Sequence, residues 1–254
     1  MDIEIECRKC RKLVTKNSIL REHVRPRFLD PKNPGGWVSV CRECSQLEAE
    51  HQYLEYKTFA ISKNKEPYKN FLESIYELNA MINIRLPDKK LSLTMARILY
   101  ATAITAMETY LSDTFINRVV NNGAHLRRCV ETDLEFKNRK LELTDIFRRK
   151  ETLKEEVQEY LAGVLFHNLA KVRLMYRTVL SIEFPADMTP LFKAVKTRHD
   201  IVHRGGKDKS GAITSIEQDE VKSLIITLKA FVKAIEEQLS NTAADPSSES
   251  TQDF

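Results

Sequence analysis

The chain has 254 residues, 42% hydrophobic and 30% charged, which is ordinary for a globular protein able to bury a real core. Its formal net charge of +4 is compatible with nucleic acid but lacks the dense Lys/Arg runs of a strongly basic binder. No apolar run reaches the roughly 18–20 residues that span a bilayer, and the N-terminal MDIEIECRKC lacks a signal-peptide core, so no membrane partner and a cytoplasmic location are expected.

Residues 1–45 hold four of the five cysteines, three of the prolines and the only tryptophan, and read as a small, turn-rich unit. Glycine is scarce elsewhere, and Leu, Ala, Glu and Lys are abundant, which favours helix over sheet. A first helix is expected over about 45–64. A second carries Tyr68, Phe71, Leu72, Ile75 and Leu78 at spacings of three and four. Residues 86–90 (LPDKK) read as a turn. A long helix with Leu91, Met95, Leu99, Ala103, Ala106, Tyr110 and Leu111 on its stripe ends before the turn at 121–123. Residues 124–150 are polar and carry no clear pattern. One long helix is expected over about 151–181, with Leu153, Val157, Leu161, Leu165, Leu169 and Val172 in register. A helix from about Pro190 stops at Gly205–Gly206. The last helix is expected to open on Thr214-x-x-Glu217, a capping-box pattern. The tail from Asn241 is rich in Ser, Asp and Thr and is expected to be disordered.

Cys7-x-x-Cys10 and Cys41-x-x-Cys44 are the strongest chemical signal. Two residues between cysteines let both sulfurs reach one ion, and two such pairs close a tetrahedral site. Such a site is structural and leaves no position for substrate. Disulfides are the other use of four cysteines, and they are rare in a cytoplasmic chain. One structural zinc ion per chain is therefore expected. Cys129 stands alone and reads as an inert thiol.

Between the pairs, Glu22-His23-x-x-Pro26 precedes a Gly-containing turn and an apolar approach to Cys41. Over about 45 residues this resembles the HNH-like treble-clef family, which folds a ββα unit around zinc and often cuts DNA. The resemblance implies metal binding at Glu22 and water activation at His23. Ser45 stands where the family has a later His or Asn ligand, so a treble clef without nuclease activity is the favoured reading. His23 reads equally well as a surface or packing histidine. The segment has ten Lys or Arg against six Asp or Glu in residues 1–44, in keeping with a face for phosphates.

Arg198-His199-Asp200-Ile201-Val202-His203-Arg204 concentrates unusual chemistry. His199 and His203, four apart, share a helix face, a spacing that also suits metal chelation, although no third ligand is near in sequence. Arg198 and His203 lie about 140° apart around a helix and can flank a groove. His203 falls in the last helical turn, where the dipole favours a protonated imidazole suited to phosphate chemistry. Ile201 and Val202 are expected to anchor the segment in the core. A plain helix end with its charges in solvent fits the same residues.

R-H-D-I-V-H-R-G-G resembles the R-x-x-x-x-H motif of the HEPN family of helical nucleotide-binding domains. ITAMETYLSDTF (104–115, with Glu108 and Asp113), FHNLAKVRLMYRTVLSIEFP (166–185) and EVKSLIITLKAFVKAIEEQL (220–239) resemble its other helices, in the expected order over residues 91–240. The resemblance implies a metal-independent endoribonuclease in a prokaryotic toxin or antiphage system. It implies a homodimer with two motifs across a cleft, and attack of the RNA 2′-hydroxyl on the adjacent phosphate. Arg198 would hold the phosphate, His203 would move a proton, His199 would tune or orient them, and Arg204 would contact the nucleic acid. Glu108 could orient a motif residue. Gly205 stands where one HEPN subgroup has tyrosine, so the chain departs from that subgroup.

The expected architecture is mainly α: a zinc module of treble-clef or ribbon type (1–45), connecting helices (46–90), a HEPN-like helical bundle (91–240) and a tail (241–254). Three functions fit it. They are an RNA-cutting enzyme, a non-catalytic dimeric protein that binds nucleic acid or a protein partner, and an HNH-type DNA nuclease using Glu22 and His23.

Overall fold

A computed structural model describes residues 4–7, 10–15, 19–23, 37–140, 142–207 and 209–243. The protein is a mainly α-helical bundle preceded by a small, cysteine-rich unit. It divides into two compact units, Met1–Phe59 and Ala60–Phe254.

The first unit opens with β1 (Glu4–Glu6) and β2 (Leu13–Thr15), an antiparallel pair. A second antiparallel pair follows, β3 (Ile19–His23) with β4 (Trp37–Cys41), in register from Ile19↔Cys41 to His23↔Trp37. Helix α1 (Arg42–Lys63) continues directly from β4 and runs on into the second unit. Of the residues in Met1–Phe59 whose burial is described, Cys7, Val40 and Cys41 are buried. Units of this size usually rely on a metal or disulfides as well as on apolar burial.

The second unit is built on α3 (Lys89–Val120), about 48 Å long at 1.5 Å per residue. Asp88 caps its start, accepting from the Lys90 N–H at 2.7 Å. Its first half is amphipathic, with Ala96, Leu99 and Ala103 buried and Leu91 exposed. From Tyr110 to Ile116 every residue is buried, so helices surround it on all sides. Those neighbours are α2 (Pro67–Ile82), α4 (Gly123–Thr132), α6 (Ile146–Ala162), α8 (Thr189–Arg204) and α9 (Gln218–Ala243). A short α5 (Leu134–Lys137) lies between α4 and α6. Rings connect the layers: Phe115 lies 5.3 Å from Tyr176, Tyr176 lies 5.1 Å from Phe184, and Phe184 meets Phe231 edge-on at 5.0 Å. The buried Tyr176 hydroxyl donates to the Leu111 carbonyl at 2.8 Å, so the ring is held without an orphaned polar atom.

Three expectations change. The single helix over 151–181 is two helices. α6 stops at Ala162, Gly163 follows, and α7 (Leu169–Met175) starts again with the Asn168 side chain accepting from the Lys171 N–H. Leu165, expected on the buried stripe, is 63% exposed, while Val164 and Phe166 are buried. α7 then widens into a π-helical turn, Tyr176–Leu180, that ends on Ser181 in the left-handed region. The capping box of the last helix is also displaced. Glu220 accepts from the Glu217 N–H at 2.9 Å, while Thr214 donates its N–H to the Gly206 carbonyl at 2.8 Å and closes the α8–α9 loop. Finally, α9 runs to Ala243, past Asn241, and the rest of the expected tail lies outside the described residues.

Candidate metal centre and candidate nucleic-acid site

Cys7 and Cys10 sit in the turn between β1 and β2. The Cys7 N–H donates to the Lys12 carbonyl and the Arg11 N–H to the Cys7 carbonyl, both at 2.9 Å, with Arg11 left-handed at φ 63°. Cys41 ends β4 and Cys44 lies in the first turn of α1, so a strand-to-helix junction presents the second pair. The four sulfurs all lie within 4.8 Å of one another. Cys10 Sγ and Cys41 Sγ are 3.8 Å apart, about the edge of a tetrahedron with metal–sulfur bonds near 2.3 Å. All four are free thiols. The Cys41 N–H donates to Cys7 Sγ at 3.3 Å, which favours a thiolate there. Without a cation, the neighbouring Cys41 thiol pushes Cys44 up to about 12. A divalent ion reverses that preference and deprotonates its thiol ligands. The donor set thus fits one metal ion. The side chains of Glu22 and His23, which an HNH-type site would use, lie outside the described residues, although both residues belong to β3.

The second cluster is at the C-terminal end of α8. Pro190 lies in the first turn of this helix and Gly205, left-handed at φ 60°, ends it. The Gly206 N–H reaches back to the Asp200 carbonyl at 3.1 Å, a six-residue closure. Asp200 is buried, not Val202, which is 50% exposed. The carboxylate is affordable there because Arg204 Nη1 donates to Asp200 Oδ1 at 3.1 Å. Arg204 is therefore engaged in closing the helix end. His199 and His203 lie one turn apart with ring centroids 4.6 Å apart and planes tilted by 45°, and both are exposed.

Arg198 points the other way, toward α3. Its Nη2 lies 3.7 Å from Glu108 Oε2, with the two side chains 20% and 14% exposed. Arg198 Nε and Glu108 Oε1 are buried without hydrogen-bond partners. Burial raises the Glu108 carboxyl above its usual range, although Arg198 and His167 pull it down. A cavity of about 450 Å³ opens here, lined by His167, Lys196, Arg198, His199, Arg204 and Lys209 among others. His203 is not on its wall and adjoins it through its ring contact with His199.

Of the residues expected to act together, Arg198, His199 and Arg204 share this cavity. Lys196, His167 and Lys209 were missed. Lys196 lies three residues before His199 on the same helix, so a helical wheel would have found it. His167 comes from the α6–α7 break and Lys209 from the α8–α9 loop, and no local pattern places either. Comparison with known proteins yields no match: no family model, no curated protein and no solved structure matches the chain.

Proposed function

We propose that the helical unit is a metal-independent endoribonuclease of HEPN type that cuts RNA through its own 2′-hydroxyl. The observation that carries this reading is a basic cavity holding Arg198 and His199, with the His203 ring in tilted contact with His199. In this reading the RNA backbone lies along the cavity mouth. The 2′-oxygen attacks phosphorus, the bond from phosphorus to the 5′-oxygen breaks, and a 2′,3′-cyclic phosphate remains. Arg198 offers its planar fork to the non-bridging oxygens. His203 carries a proton from the 2′-hydroxyl to the leaving 5′-oxygen, and His199 orients it. Arg198 and His203 project about 140° apart on one helix. A second copy of the chain is needed to bring both kinds of side chain onto one phosphate, which makes the active form a homodimer.

Cys7, Cys10, Cys41 and Cys44 would hold one structural zinc ion. The order of turn, hairpin and helix around them supports reading the module as a treble clef. This module, residues 1–45 ahead of the bundle at 91–240, would contact RNA, DNA or a protein partner. The toxin or antiphage setting rests on the family resemblance alone.

One observation favours a second reading, a non-catalytic nucleic-acid-binding dimer. Arg198 is mostly buried and already faces a carboxylate. End-group analysis separates the two. Incubation of RNA with zinc-loaded protein and no added Mg²⁺ is expected to leave 2′,3′-cyclic phosphate ends. Retention of intact RNA in a stable complex would favour the binding protein, and Mg²⁺-dependent cutting would contradict the mechanism.

A further inference from the structure

A cavity of about 690 Å³ lies in the helical unit and shares no residue with the Arg198 cavity. We propose that it binds a small phosphorylated ligand of nucleotide size, its phosphate held by Arg118, Lys65 and the N-terminus of α2.

Four observations converge on this. First, α2 begins with Pro67 at the cavity, and its N-cap residue Glu66 makes no side-chain capping bond. The Tyr68 and Lys69 N–H groups therefore lack the acceptor that a capping side chain would supply, and the positive end of a 16-residue helix favours an anion there. Second, Arg118 is partly buried on the cavity wall, and its guanidinium makes no ion pair or hydrogen bond among the described residues. Lys65 is likewise unpaired among them, whereas Lys69 is taken by Glu66 at 3.3 Å. Third, Thr114, one turn before Arg118 on α3, is 6% exposed and lines the cavity, and among the described residues its hydroxyl meets only the neighbouring Tyr110 hydroxyl, too loosely for a well-formed hydrogen bond. Fourth, the rest of the wall suits the remainder of such a ligand. Tyr68 offers a half-buried ring set edge-on to Tyr110 at 6.4 Å. Glu236, fixed by the Tyr110 hydroxyl at 2.7 Å, can accept from a ligand hydroxyl or amine. Its negative charge opposes a second phosphate. The volume falls within the range of small-ligand sites and exceeds what inorganic phosphate fills.

The test is binding of AMP to the full-length protein by titration calorimetry, with inorganic phosphate as competitor. Saturable binding is expected, weakened at least about tenfold in Arg118→Gln and in Lys65→Gln, the loss of one charge-assisted contact. Arg198→Ala is expected to leave it unchanged, which separates this site from the proposed ribonuclease cavity, and inorganic phosphate is expected to displace it. A melting curve of each variant checks that it is folded. The proposal is overturned if AMP does not bind at up to about 10 mM, the weak end of specific affinity. It is also overturned if Arg118→Gln binds like wild type, if Arg198→Ala abolishes binding, or if phosphate fails to compete.

Discussion

Arg198 Nη2 sits 3.7 Å from Glu108 Oε2 and joins the end of α8 to the middle of α3, while the Nε and Oε1 atoms of the same pair have no hydrogen-bond partner. A buried charge pair this loosely satisfied adds little to stability, because desolvation offsets the attraction. Its effect is to hold the guanidinium on the wall of the basic cavity, facing α3.

The pair makes stability depend on pH. Burial raises the folded-state pKa of Glu108 above the ordinary value of 4.5. The folded state then binds that proton more tightly than the unfolded state does. Glu108 contributes stability as pH falls through the window above 4.5 and loses it as pH rises through its folded pKa. Glu108→Gln removes this dependence. Melting temperatures of both proteins, taken from neutral pH downward, are expected to converge or cross in favour of wild type. Parallel curves would contradict the assignment.

The cysteine cluster predicts a local failure. Cys41→Ser removes a buried sulfur that sits 3.8 Å from Cys10 Sγ. Elemental analysis is expected to show about one zinc per wild-type chain and well under half that in the variant. Hydrogen exchange is expected to lose protection in β3 and β4 while α3 stays protected, because the two units have separate interiors. A variant with full zinc content and unchanged exchange would refute the metal centre.

The α8–α9 loop depends on one backbone geometry. Gly206 has φ +80°, and a Cβ there would come 2.9 Å from Arg97 Nη1. Gly206→Ala is expected to cost about 1–2 kcal/mol, mainly from the left-handed conformation. Gly205→Ala, at φ +60° with open space around it, bears the conformational cost without the clash. Urea denaturation midpoints should therefore rank wild type, Gly205→Ala and Gly206→Ala in falling order. Equal midpoints for Gly206→Ala and wild type would show that the loop adapts.

Much of this was legible in the sequence where one face of a helix is buried. Phe71, Ile75 and Leu78 of α2 and Leu99, Ala103 and Tyr110 of α3 were readable from spacing alone and are buried. The paired cysteines announced their cluster because ligand spacing is local. The break at Gly163 was hidden because the apolar spacing from Leu153 to Val172 continues across it, and only tertiary packing makes Val164 and Phe166 the buried pair. Asp200 was hidden for a related reason. Its burial depends on Arg204 and the turn at Gly206, partners that a hydrophobic pattern does not register. The Arg198–Glu108 contact joins residues ninety positions apart, and spacing says nothing at that range.

The most direct test of the central claim is RNA cleavage by zinc-loaded wild type, His203→Ala and Arg198→Ala with no added Mg²⁺. The account predicts cutting by wild type and a loss of at least about a hundredfold in His203→Ala, the usual scale of general acid–base catalysis. Arg198→Ala is predicted to lose both cutting and RNA affinity. Cleavage by His203→Ala at the wild-type rate would contradict the account.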